Sequence, residues 1–152
     1  MKTYLKILAT LTLVIFMTSC EEQDDNVNPF DDFSSLTWWL SGGTDHALTE
    51  KTIAINKFIA FKDLSRGVIS HEWRISDGSS LLREGFSETD TIYSNFEIRG
   101  NTTGNTLAYV LFKEAGISEV RLINTFKDSV KESVREGSFW KVEKIFTITV
   151  TE

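Results

Sequence analysis

The stretch that decides the fold is FIAFKDLSRGVISHEWRISDG, residues 58–78. In its second half, Val68, His71, Trp73 and Ile75 lie in a region predicted to be a β-strand, and polar and apolar side chains alternate over residues 72–75, which is the period of a strand with one buried face. The alternation ends at residues 76–78, where Ser-Asp-Gly is typical of a tight turn. This part of the chain is therefore predicted to be a strand closed by a turn.

The same alternation recurs on the C-terminal side of this stretch. In FTITVT, residues 146–151, three threonines alternate with apolar residues, which predicts a half-buried strand with a threonine outer face. Residues 119–122 also alternate, and residues 92–99 are predicted to pair with residues 107–112 through the turn sequence GNTTGN at 100–105. Strands separated by turns, with almost no helical periodicity, predict an all-β fold, an antiparallel sandwich or barrel.

The segment KDSVKESVREG, residues 127–137, fits two structures. A short helix ending at Gly137 would place Val130 and Val134 on one face. A strand would place the same two valines on one side and turn near Gly137 into a long hairpin with residues 139–150. We favour the hairpin.

Three segments resemble, in order and spacing, the core of the PKD domain, the immunoglobulin-like module named after polycystic kidney disease. Residues 58–78 are similar to the family's V-x-F-x-D-x-S strand followed by W-x-F-G-D-G, with Ser76 in place of the first glycine. Residues 112–122 resemble Y-S-x-P-G-x-Y-x-V-x-L, and residues 146–152 resemble the family's last strand. The resemblance implies an immunoglobulin-like antiparallel β-sandwich of PKD type. The core residues it implies are Phe61, Trp73, Ile75, Phe112, Val120 and Leu122.

The N-terminus is predicted to be an export signal. Lys2 and Lys6 precede the apolar run Ile7–Met17, which is shorter than the roughly 20 residues that cross a membrane. The sequence Met-Thr-Ser-Cys at 17–20 resembles the lipobox of bacterial lipoproteins, which implies cleavage after residue 19 and lipidation of Cys20, the only cysteine of the chain. The alternative is an ordinary signal peptide followed by a chance cysteine.

Residues 21–32, EEQDDNVNPFDD, carry six carboxylates and no basic residue, in a chain whose net charge is −6. This composition predicts a disordered, solvated tether. An acidic cluster directly after a lipobox also resembles the signal that exports lipoproteins to the cell surface in glycan-foraging Gram-negative bacteria. We therefore expect a signal peptide at 1–19, an acidic tether at 20–32 and a PKD-like domain at 33–152. The protein would be anchored by lipid to the outer membrane and face the cell exterior.

Neither catalysis nor a cofactor is expected. The two histidines, His46 and His71, are far apart in sequence, and no hydrolase motif accompanies them. No D-x-D-x-D run indicates a calcium site, so no metal is expected. The acidic balance gives no basis for a nucleic-acid partner.

The tryptophans are the best candidates for ligand binding. In TWWL, residues 37–40, a strand would point Trp38 and Trp39 to opposite faces, so that one could pack inward and the other offer a flat platform to a sugar ring. Trp140, near the tip of the predicted hairpin, is a third candidate. The alternative is that all three pack in the core or at its edge, since tryptophan is highly buried on average.

Two triplets, Asp-Thr-Ile at 90–92 and Asp-Ser-Val at 128–130, resemble O-glycosylation acceptors of the same bacterial group, which makes Thr91 and Ser129 candidate modification sites. The function expected from the sequence is a cell-surface binding module for a glycan or a protein partner in polysaccharide uptake. The alternative is a structural spacer or assembly subunit without a small ligand.

Overall fold

The computed structural model describes residues 33–42, 48–87, 89–90 and 92–152. The predicted signal peptide, the lipidation site Cys20, the tether at 20–32 and the acceptor Thr91 lie outside the described residues. Within those ranges, no helix has both the length and the apolar character needed to cross a membrane.

Ten strands and one 3₁₀ helix make up the described part of the chain. The strands are β1 (Trp38–Leu40), β2 (Glu50–Ala54), β3 (Lys57–Asp63), β4 (Val68–Ile75), β5 (Ser79–Leu82), β6 (Thr102–Thr103), β7 (Leu107–Phe112), β8 (Gly116–Phe126), β9 (Val134–Glu136) and β10 (Phe139–Thr151). The 3₁₀ helix is Tyr93–Phe96. The predicted all-β fold is confirmed.

The strands form two packed sheets. The smaller sheet has the order β1-β3-β7-β5, and the larger has β2-β10-β8-β4-β6, with β9 pairing beside β10. All neighbouring strands are antiparallel except β2 and β10, which are parallel. The predicted antiparallel sandwich is therefore confirmed except at this edge, where β2 and β10 are parallel. After β1 in the smaller sheet, the chain moves to the larger sheet for β2 and returns for β3.

The core lies between the two sheets, around Trp73 on β4. Its side chain is fully buried, with ring centroids 5.7 Å from Phe61 and 5.8 Å from Phe146. The six side chains that the sequence assigns to the core are each at most 4% exposed. Burying an aromatic or large aliphatic side chain stabilises the fold by about 1.5–3 kcal/mol, so this cluster is a large part of what holds the sheets together.

The segment at 127–137 forms neither the helix nor the long strand. Only Val134–Glu136 is extended, and it pairs with residues 139–141 through a two-residue turn. Gly137, with φ of 64°, occupies the first central position of this turn, where hairpins favour a positive φ and hence glycine. Ahead of the strand the chain turns instead of extending, and Glu132 adopts a φ of 66°.

The strand predicted at 92–99 is wrong. The 3₁₀ helix stands there, and β7 pairs with β3 and β5 instead. Three residues make one 3₁₀ turn, so Tyr93 and Phe96 fall on the same side of the helix, and both lie against Phe86 with centroids 5.7 Å away. Aromatic packing on one side has outweighed the local alternation, and Ile92 is left 61% exposed.

Segment 83–98 thereby covers half of the outer face of the smaller sheet. A second apolar cluster forms there from Leu82, Tyr93 and Leu111, with four further aromatic rings packed around it. Backbone hydrogen bonds from Arg83 to Phe96 and from Ile98 to Leu81 hold the segment to the free edge of β5.

Candidate functional site

The uncovered half of the outer face of the smaller sheet begins with a row of three side chains. Trp39 on β1 stands opposite Lys62 on β3, and Lys62 stands opposite Leu107 on β7. In the next row, Ala60 faces Tyr109. Directly opposed residues have Cβ atoms about 4.5–5.5 Å apart, so an indole, an ammonium group and a phenol share one small area. Because the side chain of Ala60 is small, it leaves a shallow depression between these three groups.

This area is the floor of a groove of about 1000 Å³, which we call the β1–β3 groove. Residues 84–87 of the covering segment form one wall, with the ring of Phe86 packed edge to face against that of Tyr109 at a centroid distance of 5.0 Å. Of the described residues, three lysines, Lys51, Lys57 and Lys62, and one acid, Glu84, contribute to the lining. A groove lined by apolar rings with a few polar groups is the usual form of a small-ligand site.

Lys51 enters the groove from the other sheet. It lies on the same face of β2 as Ile53, which packs on the core, and its Nζ donates a hydrogen bond to the carbonyl of Ser41 just after β1. Burial lowers the pKa of Lys51 because the charged form loses water. Gly42 makes this approach feasible, since a Cβ there would stand 2.7 Å from the ammonium nitrogen and its φ is 71°.

The Trp39 side chain makes no hydrogen bond and no ring contact within the described ranges, whereas the side chain of its neighbour Trp38 makes both. Trp38 packs against the core, with its ring 5.7 Å from Phe146 and its Nε1 donating to the carbonyl of Leu48 over 3.0 Å. The Nζ of Lys144 sits 5.1 Å above its ring. Both indoles are half-buried, but the Trp38 ring has hydrogen-bond and aromatic partners inside the fold, whereas the Trp39 ring has neither among the described residues.

Trp140 lies far from this groove. It is half-buried on β10, eight residues before Ile148, the partner of Lys51. Eight strand residues span about 26 Å. The structure thus brings only Trp39 of the three candidate tryptophans to the groove.

The sequence did not point to Phe58, Tyr109 or the three lysines. One signal was present: in YVLF, residues 109–112, the alternation disappears, which indicates a strand with apolar contacts on both faces. The groove also needs β2, β3 and segment 83–98 to meet, and those contacts join residues far apart in sequence.

A buried polar cluster lies on the inner side of the same sheet. Asn124 is fully buried and donates to Asp63 Oδ2 over 3.0 Å and to Ser65 Oγ over 3.2 Å. His71 Nδ1 lies 3.4 Å from the same carboxylate oxygen, and its Nε2 contacts the carbonyl of Gly104. Ser65 Oγ in turn donates to the carbonyl of Thr37. The Ser65 hydroxyl is thus hydrogen-bonded both to the backbone of Thr37 and to the side-chain amide of Asn124. The cluster therefore joins β3, β4 and β8.

Ser129 is exposed in the turn ahead of β9. Among the described residues, no group of three or more His, Cys, Asp and Glu side chains is arranged to hold a metal ion.

No family model matches the chain, and no curated protein matches it. Among solved structures, the chain is similar to a nucleoside hydrolase-related hypothetical protein from Saccharophagus degradans that is associated with carbohydrate metabolism, at 11% identity and a TM-score of 0.37. The match covers 77% of this chain and 26% of that one, so the chain spans about a quarter of its neighbour's length.

Proposed function

We propose that this protein is a lipid-anchored, surface-facing binding module of PKD type that holds a glycan in the β1–β3 groove. Cys20 is the lipidated residue, and residues 20–32 are the tether between the lipid and the domain. The predicted absence of enzymatic activity belongs to the same proposal.

The strand order supports the immunoglobulin-like part of the proposal. In immunoglobulin constant-type sandwiches, one sheet has the strands A, B, E and D and the other has C, F and G. Here β1-β3-β7-β5 corresponds to the first set and β10-β8-β4 to the second. Trp73 then falls on strand C, where such sandwiches bury a tryptophan. Ser76, which replaces the family glycine, has its hydroxyl 3.0 Å from that of Ser118 and accepts the backbone N–H of Glu119.

The single observation that carries the binding proposal is the half-buried indole of Trp39, which lies on the floor of a groove and has no hydrogen-bond or aromatic partner among the described residues. A tryptophan ring is large and flat, and it gains free energy by covering apolar area. The C–H face of a pyranose can supply that area, while its hydroxyls bond to the polar rim. Trp38, by contrast, already has its partners inside the fold.

The test is binding of the full-length chain, kept in detergent micelles, to an array of plant and host polysaccharides. Trp39→Ala should lose at least tenfold in affinity, since stacked aromatic anchors are typically worth more than about 1.4 kcal/mol. Phe139→Ala is the matched control, because Phe139 is 45% exposed and lies on the β9–β10 hairpin. It should leave binding unchanged.

A spacer or assembly subunit without a small ligand is the competing function. It predicts no signal above background on the array for the wild-type chain. Equal binding by wild type and Trp39→Ala would mean that the glycan binds elsewhere, and it would contradict the β1–β3 groove as the binding site.

The anchor is tested separately. Cys20→Ala should release the protein from membranes, and protease added to intact cells should remove the wild-type chain. A Cys20→Ala protein that still fractionates with membranes would contradict lipidation at this residue. Full-length wild-type chain surviving on intact cells would contradict exposure at the surface.

A further inference from the structure

We infer that the ligand of the β1–β3 groove is an anionic oligosaccharide whose charges are repeated carboxylates, as in a chain of uronic acids. The inference rests on the proposed glycan-binding function and narrows its substrate class. It follows from where the unpaired positive charges lie, how far apart they are and what stands beside them.

Most charges on the larger sheet are already paired. Arg121 bridges Glu119 and Glu143, and Arg74 bonds to Glu72, all on the outer face of that sheet. In the groove the pattern is different: within the part of the chain that the structure describes, none of Lys51, Lys57 and Lys62 forms an ion pair. Among the described residues, a protein whose net charge is −6 thus has three ammonium groups without an ion pair and one acid around this groove. This is charge complementarity to an anion.

The spacing of the lysines favours repeated single charges. Lys57 and Lys62 are the first and sixth residues of β3, which places their Cα atoms about 16 Å apart at roughly 3.3 Å per residue and puts the two side chains on opposite faces of the strand, so that Lys57 lines the groove only at the exposed start of β3. One phosphate or one carboxylate cannot reach both. Lys51 approaches from β2 beside Ser41, so the three charges are distributed along the groove and do not converge on one point.

The neighbours of the lysines favour a sugar over other polyanions. Trp39 and Lys62 are directly opposed, so a pyranose stacked on the indole would bring a carboxylate on its C5 towards the ammonium group. No arginine, whose planar fork is suited to phosphates, is among the described residues that line the groove. An acidic peptide would satisfy the charges, but it offers no flat C–H face to Trp39.

The experiment uses a pair of probes that differ only in charge: oligogalacturonate and its fully methyl-esterified form, each titrated against the full-length chain in detergent micelles. A glutamate-rich peptide of equal charge is the third probe. The acid should bind at least tenfold more tightly than the ester, because esterification removes the charge-assisted hydrogen bonds between carboxylate and ammonium groups. Its affinity should fall with added salt. Lys62→Gln should remove most of this preference, and Lys127→Gln, which removes a lysine exposed beyond β8, should not.

The results separate this inference from the proposed function. Equal affinity for acid and ester, with loss of both in Trp39→Ala, would overturn the anionic preference and leave the glycan site standing. Binding of the glutamate-rich peptide as tightly as the oligogalacturonate would overturn the assignment to a sugar. No binding of any carbohydrate would contradict the glycan site and the inference together.

Discussion

Trp39 and Lys62 oppose each other directly across β1 and β3, on the outer face of the smaller sheet. One residue earlier, Trp38 opposes Asp63, and this pair faces the inside of the sandwich. Two adjacent residues of β1 therefore differ in their surroundings: the Trp38 indole has hydrogen-bond and aromatic partners inside the fold, and the Trp39 indole has none among the described residues. The side-chain period of two along a strand is the cause, and it makes the two adjacent tryptophans a matched pair for experiment.

The first prediction concerns stability at this pair. Trp38→Ala should lower the free energy of unfolding by about 3 kcal/mol, because it removes a ring packed on Phe146 and leaves the carbonyl of Leu48 without its hydrogen-bond donor. Trp39→Ala should cost less, because this half-buried ring has no hydrogen-bond or aromatic partner among the described residues. Urea denaturation followed by circular dichroism measures both. Equal losses would mean that Trp39 also supports the core.

The second prediction concerns the buried pair of Asn124 and Asp63. Asn124→Leu removes the donor to a carboxylate that is only 9% exposed, and it should cost about 3 kcal/mol. In an Asp63→Asn background the same substitution should cost at least about 1 kcal/mol less, because no buried charge is then left without its donor. A double-mutant cycle in urea measures the coupling. Additive losses would show that the hydrogen bond contributes nothing specific.

The sandwich was predictable from the sequence where a strand has one buried and one solvated face. Residues 119–122 and 146–151 alternate regularly, and β8 and β10 bury one face of each against the core. The alternation is a local property, so it can be recognised without knowing the strand's partner. Trp73 could be assigned to the core for the same reason.

The groove could not be predicted, because its parts are set by contacts between distant segments. Residues 92–99 alternate as a strand would, yet the rings of Tyr93 and Phe96 gain more by packing on Phe86. Only with segment 83–98 in place does the outer face of the smaller sheet divide into a covered half and an open half. The parallel pairing of β2, which brings Lys51 to the groove, likewise depends on β10, nearly a hundred residues later.

The third prediction concerns the left-handed backbone at Glu132, whose φ is 66°. Its carboxylate accepts a hydrogen bond from Lys144 over 2.9 Å, and this bond holds its pKa below the ordinary range. Glu132→Ala should destabilise the protein, because it loses the ion pair and keeps the strained backbone. Glu132→Gly also loses the pair but removes the strain, which costs about 1–2 kcal/mol for a residue with a Cβ. Thermal unfolding should therefore show the glycine variant to be the more stable of the two. The reverse order would mean that the turn does not require this conformation.

The fourth prediction concerns acid sensitivity at Glu97, which helps to fasten segment 83–98 over the smaller sheet. Hydrogen bonds from Ser80 and from Lys113, the latter over 3.0 Å, hold the pKa of Glu97 below its usual range. The folded protein therefore binds this proton more weakly than the unfolded chain does. The stabilisation is present above the ordinary carboxyl pKa and is lost as pH falls through the lowered one.

Glu97→Gln should accordingly reduce the free energy of unfolding at neutral pH by up to about 1 kcal/mol, and it should make the loss between about pH 5 and pH 3 shallower than in the wild type. Urea denaturation across that range measures both effects. Glu84→Gln is the control, since the exposed Glu84 carboxylate forms no ion pair within the described ranges and its removal should leave the slope unchanged. A Glu97→Gln protein with the full acid sensitivity of the wild type would show that the covering segment is held by its aromatic rings alone. The hydrogen-bonded carboxylate would then contribute nothing to the closure of the groove wall.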